Sequence, residues 1–242
     1  MLLGQIKREI EPQETVGVLG MDEKELIEKY SIDIESLKKE QIKLAKGIKL
    51  RDSMDFSLAT RFGAVENICI GNKIISAIIV CDKDFNIIEQ QYFLDKLKFP
   101  YLHGFRSYRE LPSMISTYNK LQEKPEVVFI HGHGTCHPRL GLASHFSLST
   151  NVPSIGIAGE LFEEDEIADN AEDILLDGKK AGKVLQSKEK ANPLFVSPGS
   201  GISIETALNL AKSMVKAPHK LPEPLHLAHR YVREVKDELK LV

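Results

Sequence analysis

The most chemically loaded stretch of the chain is His131-Gly132-His133-Gly134-Thr135-Cys136-His137, three imidazoles and a thiol in one short run. Imidazole nitrogens suit Zn2+ or Mn2+ better than Mg2+. The plainer reading of the same histidines is a loop held by backbone hydrogen bonds. Gly132 and Gly134 either admit a nucleic-acid strand or a flipped base close to the backbone, or serve only a tight turn. Upstream, Glu110 offers a carboxylate. Lys96, Lys98, Arg106, Arg109 and Arg139 surround these residues in sequence, with Tyr101 among them. Cations interleaved with an aromatic ring suit phosphate contact and base stacking, although a charge run also serves as a solvated face. Glu66, Asp82 and Asp84 read as solvated acids of hairpin turns, and Glu160 and Glu163 as members of an acidic loop.

The elements that must position these groups follow from apolar periodicity. A short helix is expected at Glu25–Tyr30 and an amphipathic one at Ile34–Lys49. Met54–Phe62, Lys73–Cys81 and Asn86–Phe93 then read as a three-stranded antiparallel meander separated by Gly63, Gly71-Asn72 and Asp82-Lys83-Asp84. Ile74–Val80 is nearly all apolar, as in a strand buried on both faces. A helix at Ser107–Gln122, a strand at Val127–Ile130, a helix at Gly141–Ser149 and a strand at Ser154–Ala158 follow. Glu160–Asp177 reads as a loop. Strands at Gly182–Gln186 and Pro193–Val196 and helices at Ser203–Lys216 and His226–Leu239 complete the chain. This order predicts an α/β fold: an RNase H-like mixed five-stranded core sheet flanked by helices, with extra C-terminal strands and helices.

Composition limits the functional classes. The 242 residues suit one large domain, and 42% hydrophobic content supports a sizeable core. The net charge of −3 means that any nucleic-acid surface is local. Cys69, Cys81 and Cys136 form neither a disulfide framework nor a CxxC motif. No apolar run reaches membrane-span length and no signal peptide is evident, so a cytoplasmic protein with no membrane partner is expected.

Four blocks carry a family resemblance: Pro100-Tyr101-Leu102-His103-Gly104-Phe105-Arg106-Ser107-Tyr108-Arg109-Glu110; His131 to Arg139 with Gly141-Leu142-Ala143-Ser144-His145; Val152-Pro153-Ser154-Ile155-Gly156-Ile157-Ala158; and Asn192 to Gly199 with Leu221-Pro222-Glu223-Pro224. In this order they resemble the endonuclease V family. The resemblance implies an RNase H-like domain over 36–242, with residues 1–35 as an extension. It implies cleavage of DNA or RNA near inosine by Mg2+ held on carboxylates. It places Glu110, Arg61, His131, His137 and His229 at family-site positions. Pro100, Tyr101, His103, Arg106, Arg109, Gly132, Gly134 and Arg139 fall at nucleic-acid-binding ones, with Tyr101 in a wedge whose second proline is here His103.

Two of the family's aspartates align in this reading with Arg61 and His131, its lysine with Gly159-Glu160, and its glycine-histidine run with Gly199-Ser200-Gly201. A guanidinium replacing a carboxylate beside a divalent ion costs up to about 16 kcal/mol at an effective dielectric of ~20. Loss of Mg2+, and with it of cleavage, is therefore expected, with nucleic-acid binding retained and Arg61 paired to Glu110. Glu110 and His131 remain as the ligands of any altered metal site. An active nuclease using such a site, and an interaction scaffold without nucleic acid, are the alternatives.

Overall fold

The computed structural model describes residues 21–241; most of the expected N-terminal extension lies outside them. Two short helices come first, α1 (Glu23–Lys29) and α2 (Ile34–Ala45). Asp22 and Asp33 cap them by accepting from the backbone N–H of Glu25 and Ser36. Leu26 of α1 is buried with Leu102 and Phe105, so this part of the extension packs onto the body of the protein.

The strands of one nine-stranded sheet follow: β1 (Phe62–Ile70), β2 (Lys73–Cys81), β3 (Ile87–Lys96), β4 (Val127–His131), β5 (Ser154–Ala158), β6 (Asp165–Ile167), β7 (Asp173–Leu176), β8 (Lys179–Leu185) and β9 (Leu194–Pro198). Their order is β3-β2-β1-β4-β5-β9-β8-β7-β6. The first five are the RNase H-like core, in which β1, β4 and β5 run parallel. The other four extend it antiparallel from β5. The expected loop at Glu160–Asp177 therefore contains two strands. Their acidic sequence hides them: β6 forms the exposed outer edge, where charge discourages further pairing, and β7 beside it begins with the buried Asp173.

The first strand also differs from expectation. Met54–Phe62 is not a strand; it holds a single 3-10 turn at Phe56–Leu58, and β1 begins at Phe62. Gly63 is not a separator but lies inside β1, where a Cβ would come within 2.8 Å of the Pro125 ring. The shift moves Arg61 to the entrance of the strand and puts Glu66 and Asn67 within it.

Helices α3 (Arg106–Lys120) and α4 (Leu142–Thr150) cover one face, against Val65, Ile78, Val80, Val128 and Ile130. Helices α5 (Ile204–Ser213) and α6 (Glu223–Glu238) cover the other. There Ala64, Ile79, Val127 and Phe129 meet α5 and the start of α6, and Ile75 and Ala77 meet Val232 and Val235. Each fully buried isoleucine of β2 contributes about 1.5–3 kcal/mol relative to exposure, which makes the central strands a rigid platform. Where β7 begins, buried Asp173 forms ion pairs with Lys180 and Lys183 at 2.8 Å each and accepts from Asn170 Nδ2 at 3.0 Å; Lys183 also reaches Glu205 of α5. Hydrogen bonds from Lys180, Lys183 and Asn170 hold its carboxyl well below the usual range.

Candidate active site

The site forms where β1 passes the end of β4. The last paired residues of these strands are Val65 and Ile130, so the next residues, Glu66 and His131, are neighbours. His131 Nδ1 lies 3.3 Å from Glu66 Oε1. Asn67, the next residue of β1, donates from Nδ2 to Glu110 Oε2 at 2.8 Å. Glu110 lies in the second turn of α3, and Arg106, one turn earlier, donates to its other oxygen. His229 of α6 approaches from the opposite face, within electrostatic range of Glu66 and His131.

Charge and burial work against each other here. Burial opposes ionisation of Glu66, but the charges of His131, Arg106 and His229 outweigh it and hold the carboxyl below its usual range. The Glu66 carboxylate in turn raises the pKa of His131, against the effect of burial. Burial lowers the pKa of His229. Two buried acceptors in the cluster, Glu66 Oε2 and Asn67 Oδ1, have no hydrogen-bond partner. Unmatched buried oxygen atoms are costly, and a ligand or ion beside them would offset that cost.

Arg61 is not part of this cluster. It stands five residues before Glu66, roughly 16 Å away along an extended strand. Its guanidinium donates to Glu123 at 2.9 Å, and its backbone N–H to Glu126 at 2.9 Å. The expected Arg61–Glu110 pair does not form, and the partners of Glu110 are Arg106 and Asn67. With Arg61 remote, the electrostatic penalty expected from it does not act on the site. The carboxylate that β1 brings to the cluster is Glu66, a strand residue rather than the expected turn acid. The signal for it was a Glu-Asn pair inside the otherwise apolar run Phe62–Ile70. Asp82, by contrast, is a turn acid as expected, accepting from the backbone of Asp84 and Asn86.

The other two histidines of the loop do not converge with His131 on a metal position. His133 Nε2 lies 2.8 Å from the Glu160 carbonyl oxygen, and His137 Nδ1 accepts from Arg139 N–H at 3.0 Å. Both rings, with that of His103, pack around Phe162 at centroid distances of 4.6–5.0 Å. Burial brings the His133 pKa down to about 4 and that of His137 to about 3, so both are neutral near pH 7. It pushes the Cys136 thiol up to about 12 and leaves it protonated. Beside the carboxylate cluster these rings wall a recess of about 90 Å³, with Tyr101, Arg106 and Leu142 also in its lining.

Two arginines of the expected basic face are used inward. Arg109 is buried, its guanidinium 5.8 Å from the Tyr101 ring centre. Arg139 lies over Phe105 and donates from Nε to Gln41 Oε1 at 2.7 Å. Gln41, itself fully buried, donates onward to the Gly104 and Leu140 carbonyls. Lys96 and Lys98 are exposed. Pro100 is buried while Tyr101 and His103 are exposed, so the expected wedge residues project from an anchored base. Gly132 adopts φ +153° facing Arg106, a geometry that favours glycine. Gly134 packs so closely on β9 that a Cβ would lie 2.2 Å from the Pro198 carbonyl oxygen, so internal packing accounts for it. Ser200 accepts from Lys49 N–H and Gly201 from Ser53, which makes Gly199-Ser200-Gly201 a seam to the segment after α2.

The Endonuclease V family model matches residues 42–230. The chain belongs to the Endonuclease V family. Endonuclease V of Thermosipho melanesiensis is 32% identical over 88% of this chain and 93% of its own length. The catalytic domain of human Endonuclease V superposes with a TM-score of 0.76 at 26% identity, covering 87% of this chain and all of the human domain. Endonuclease V of Ciona intestinalis shares the fold, with a TM-score of 0.77 at 23% identity over 85% of this chain and 98% of that one. Among the described residues no helix is long and apolar enough to cross a membrane.

Proposed function

We propose that this chain is a metal-dependent endonuclease of the Endonuclease V type, acting on inosine-containing nucleic acid, with Glu66, Glu110 and His131 holding the ion. The observation that carries this reading is the pair of unpartnered buried acceptors, Glu66 Oε2 and Asn67 Oδ1, in the same cluster as Glu110 and His131. Endonuclease V is a metal-dependent family, and carboxylate and amide oxygens fit a hard divalent cation. The imidazole of His131 shifts the preference from Mg2+ toward Mn2+. When bound, the ion polarises the phosphoryl oxygen and lowers the pKa of the attacking water.

The chain's own residues supply the rest. Arg106 faces Glu110 and acts electrostatically on Glu66 and His131, a position from which its guanidinium can meet a phosphate oxygen. Tyr101 provides an exposed ring at the rim, and the recess walled by Phe162 and the neutral His133 and His137 takes an extruded base. Ciona Endonuclease V was crystallised with a DNA 24mer containing an inosine followed by a ribo-adenosine, which supports a nucleic-acid substrate of this kind.

A second reading, nucleic-acid binding without cleavage, rests on Arg106 and Asn67 occupying both oxygens of Glu110. Labelled inosine-containing DNA and RNA incubated with Mg2+ and with Mn2+ separate the two. The first reading expects cleavage, faster with Mn2+, that disappears in Glu66→Gln and Glu110→Ala. No cleavage with either ion, together with salt-sensitive binding by fluorescence anisotropy, would establish the second.

A further inference from the structure

A second group of ligand-type side chains lies outside the active site, at the start of α6. His219, Glu223 and His226 bring one ligand atom each to within 4.8 Å of one another, a convergence that Glu66, Glu110 and His131 do not show. His219 Nδ1 lies 2.7 Å from Glu223 Oε2, and the His219 and His226 rings stack with centroids 3.6 Å apart and planes 19° from parallel. We infer that His219, Glu223 and His226 form a binding site for a transition-metal ion of the Zn2+ class, separate from the catalytic centre and serving to fix the start of α6.

The chemistry of the donors favours this class. Two imidazoles and one carboxylate are a recurrent three-ligand set for Zn2+, with the fourth position left to water, whereas Mg2+ prefers an all-oxygen shell. The open position is available because His219 and His226 are only partly buried, while the Glu223 carboxylate is buried beneath them. Hydrogen bonding alone leaves the arrangement half explained. His219 uses one nitrogen on Glu223, but the His226 side chain makes no hydrogen bond among the described residues. A shared cation gives its stacked ring a partner.

The ligands are also held in place by the local fold. Glu223 and His226 are three residues apart on one helix and so share a face. Pro222 occupies the position before that helix and Pro224 lies in its first turn, which stiffens its entry. His219 comes from the preceding segment, which is tied back by Glu223 N–H to the Met214 carbonyl at 2.7 Å and by a bridge between Val215 and Pro222. A metal would therefore clip this segment to α6. His229 follows His226 by three residues, about 4.5 Å of helix rise, so the clip also fixes the helix that carries His229 toward Glu66. This inference does not depend on whether the active site cleaves nucleic acid.

The test is Zn2+ titration of the metal-stripped full-length protein carrying Glu66→Gln, which weakens the catalytic cluster as a competing site. Calorimetry and thermal melting are expected to show about one equivalent bound with a raised Tm. Adding His226→Ala should weaken binding beyond the roughly 10–100-fold typical of outer-shell changes, and remove the Tm increase. His219→Gln, placed before α6, is the second variant should the helix substitution disturb folding, and circular dichroism checks both. Uptake below about a tenth of an equivalent, or an affinity unchanged by both histidine substitutions, would overturn the assignment.

Discussion

The two ends of β1 carry opposite kinds of incompleteness. At the entrance, Glu126 accepts from the backbone of Thr60 and Arg61, and Glu123 accepts the Arg61 guanidinium; the atom left over is a donor, Arg61 Nε. Further along, Glu66 meets His131 and Asn67 meets Glu110; the atoms left over are acceptors, Glu66 Oε2 and Asn67 Oδ1. Only the second end can receive a cation. An arginine in a family motif's neighbourhood is therefore harmless when the strand carries it to the wrong end, whereas two unmatched oxygens on the same strand mark the place where chemistry is possible.

The largest effect that could break this contrast is on cleavage. Glu66→Gln should reduce Mn2+-dependent cleavage by at least about 100-fold, the scale on which losing one preorganised charged group acts. Wild-type rates in that variant would remove Glu66 from the site. Next, His131→Asp returns an oxygen ligand to the end of β4. The ratio of Mg2+- to Mn2+-supported rates should rise by about tenfold, measured on one inosine-containing substrate; an unchanged ratio would mean that His131 does not select the ion.

Asp173 sharpens the contrast from elsewhere, as a carboxylate met by Lys180, Lys183 and Asn170. Its folded pKa is depressed, so its contribution to stability is complete above the unfolded value of about 3.9 and is lost as pH falls through the folded one. Asp173→Asn should lower Tm at pH 7, and the gap to wild type should narrow on acidification below about pH 3.9. A gap that stays constant with pH would mean that packing, not charge, does the work. The smallest effect is expected at the entrance of β1. Arg61→Ala should leave cleavage within about twofold and cost less than about 1 kcal/mol by chemical denaturation, because the Arg61–Glu123 pair is solvent-exposed.

Much of the fold was legible in the sequence. Lys73–Cys81 and Ser154–Ala158 are strands with the expected bounds, because apolar and β-branched runs between turn residues leave few other choices. Where reading failed, tertiary packing had overruled local signals. Gly63 reads as a break, yet it is a strand residue shaped by Pro125; that one misplacement displaced the site's first-strand position onto Arg61. Glu66 reads as a turn acid because nothing local reveals that His131, far along the chain, will stand beside it. The arginines near Tyr101 read as a surface, but Arg109 and Arg139 are used inward, which depends on Gln41 and Phe105 being in place.

Gln41 has a consequence for the kinetics of opening. Its side-chain amide joins α2 to Gly104, in the segment that carries Tyr101, and through Arg139 and Leu140 to the segment that leads into α4. Opening of α2 must break all three links together, so this largely exposed helix should open less readily than its surface position suggests. Amide protons around Gln41 should exchange with solvent more slowly than those of α1, and the placement of Tyr101 should last as long as that protection does.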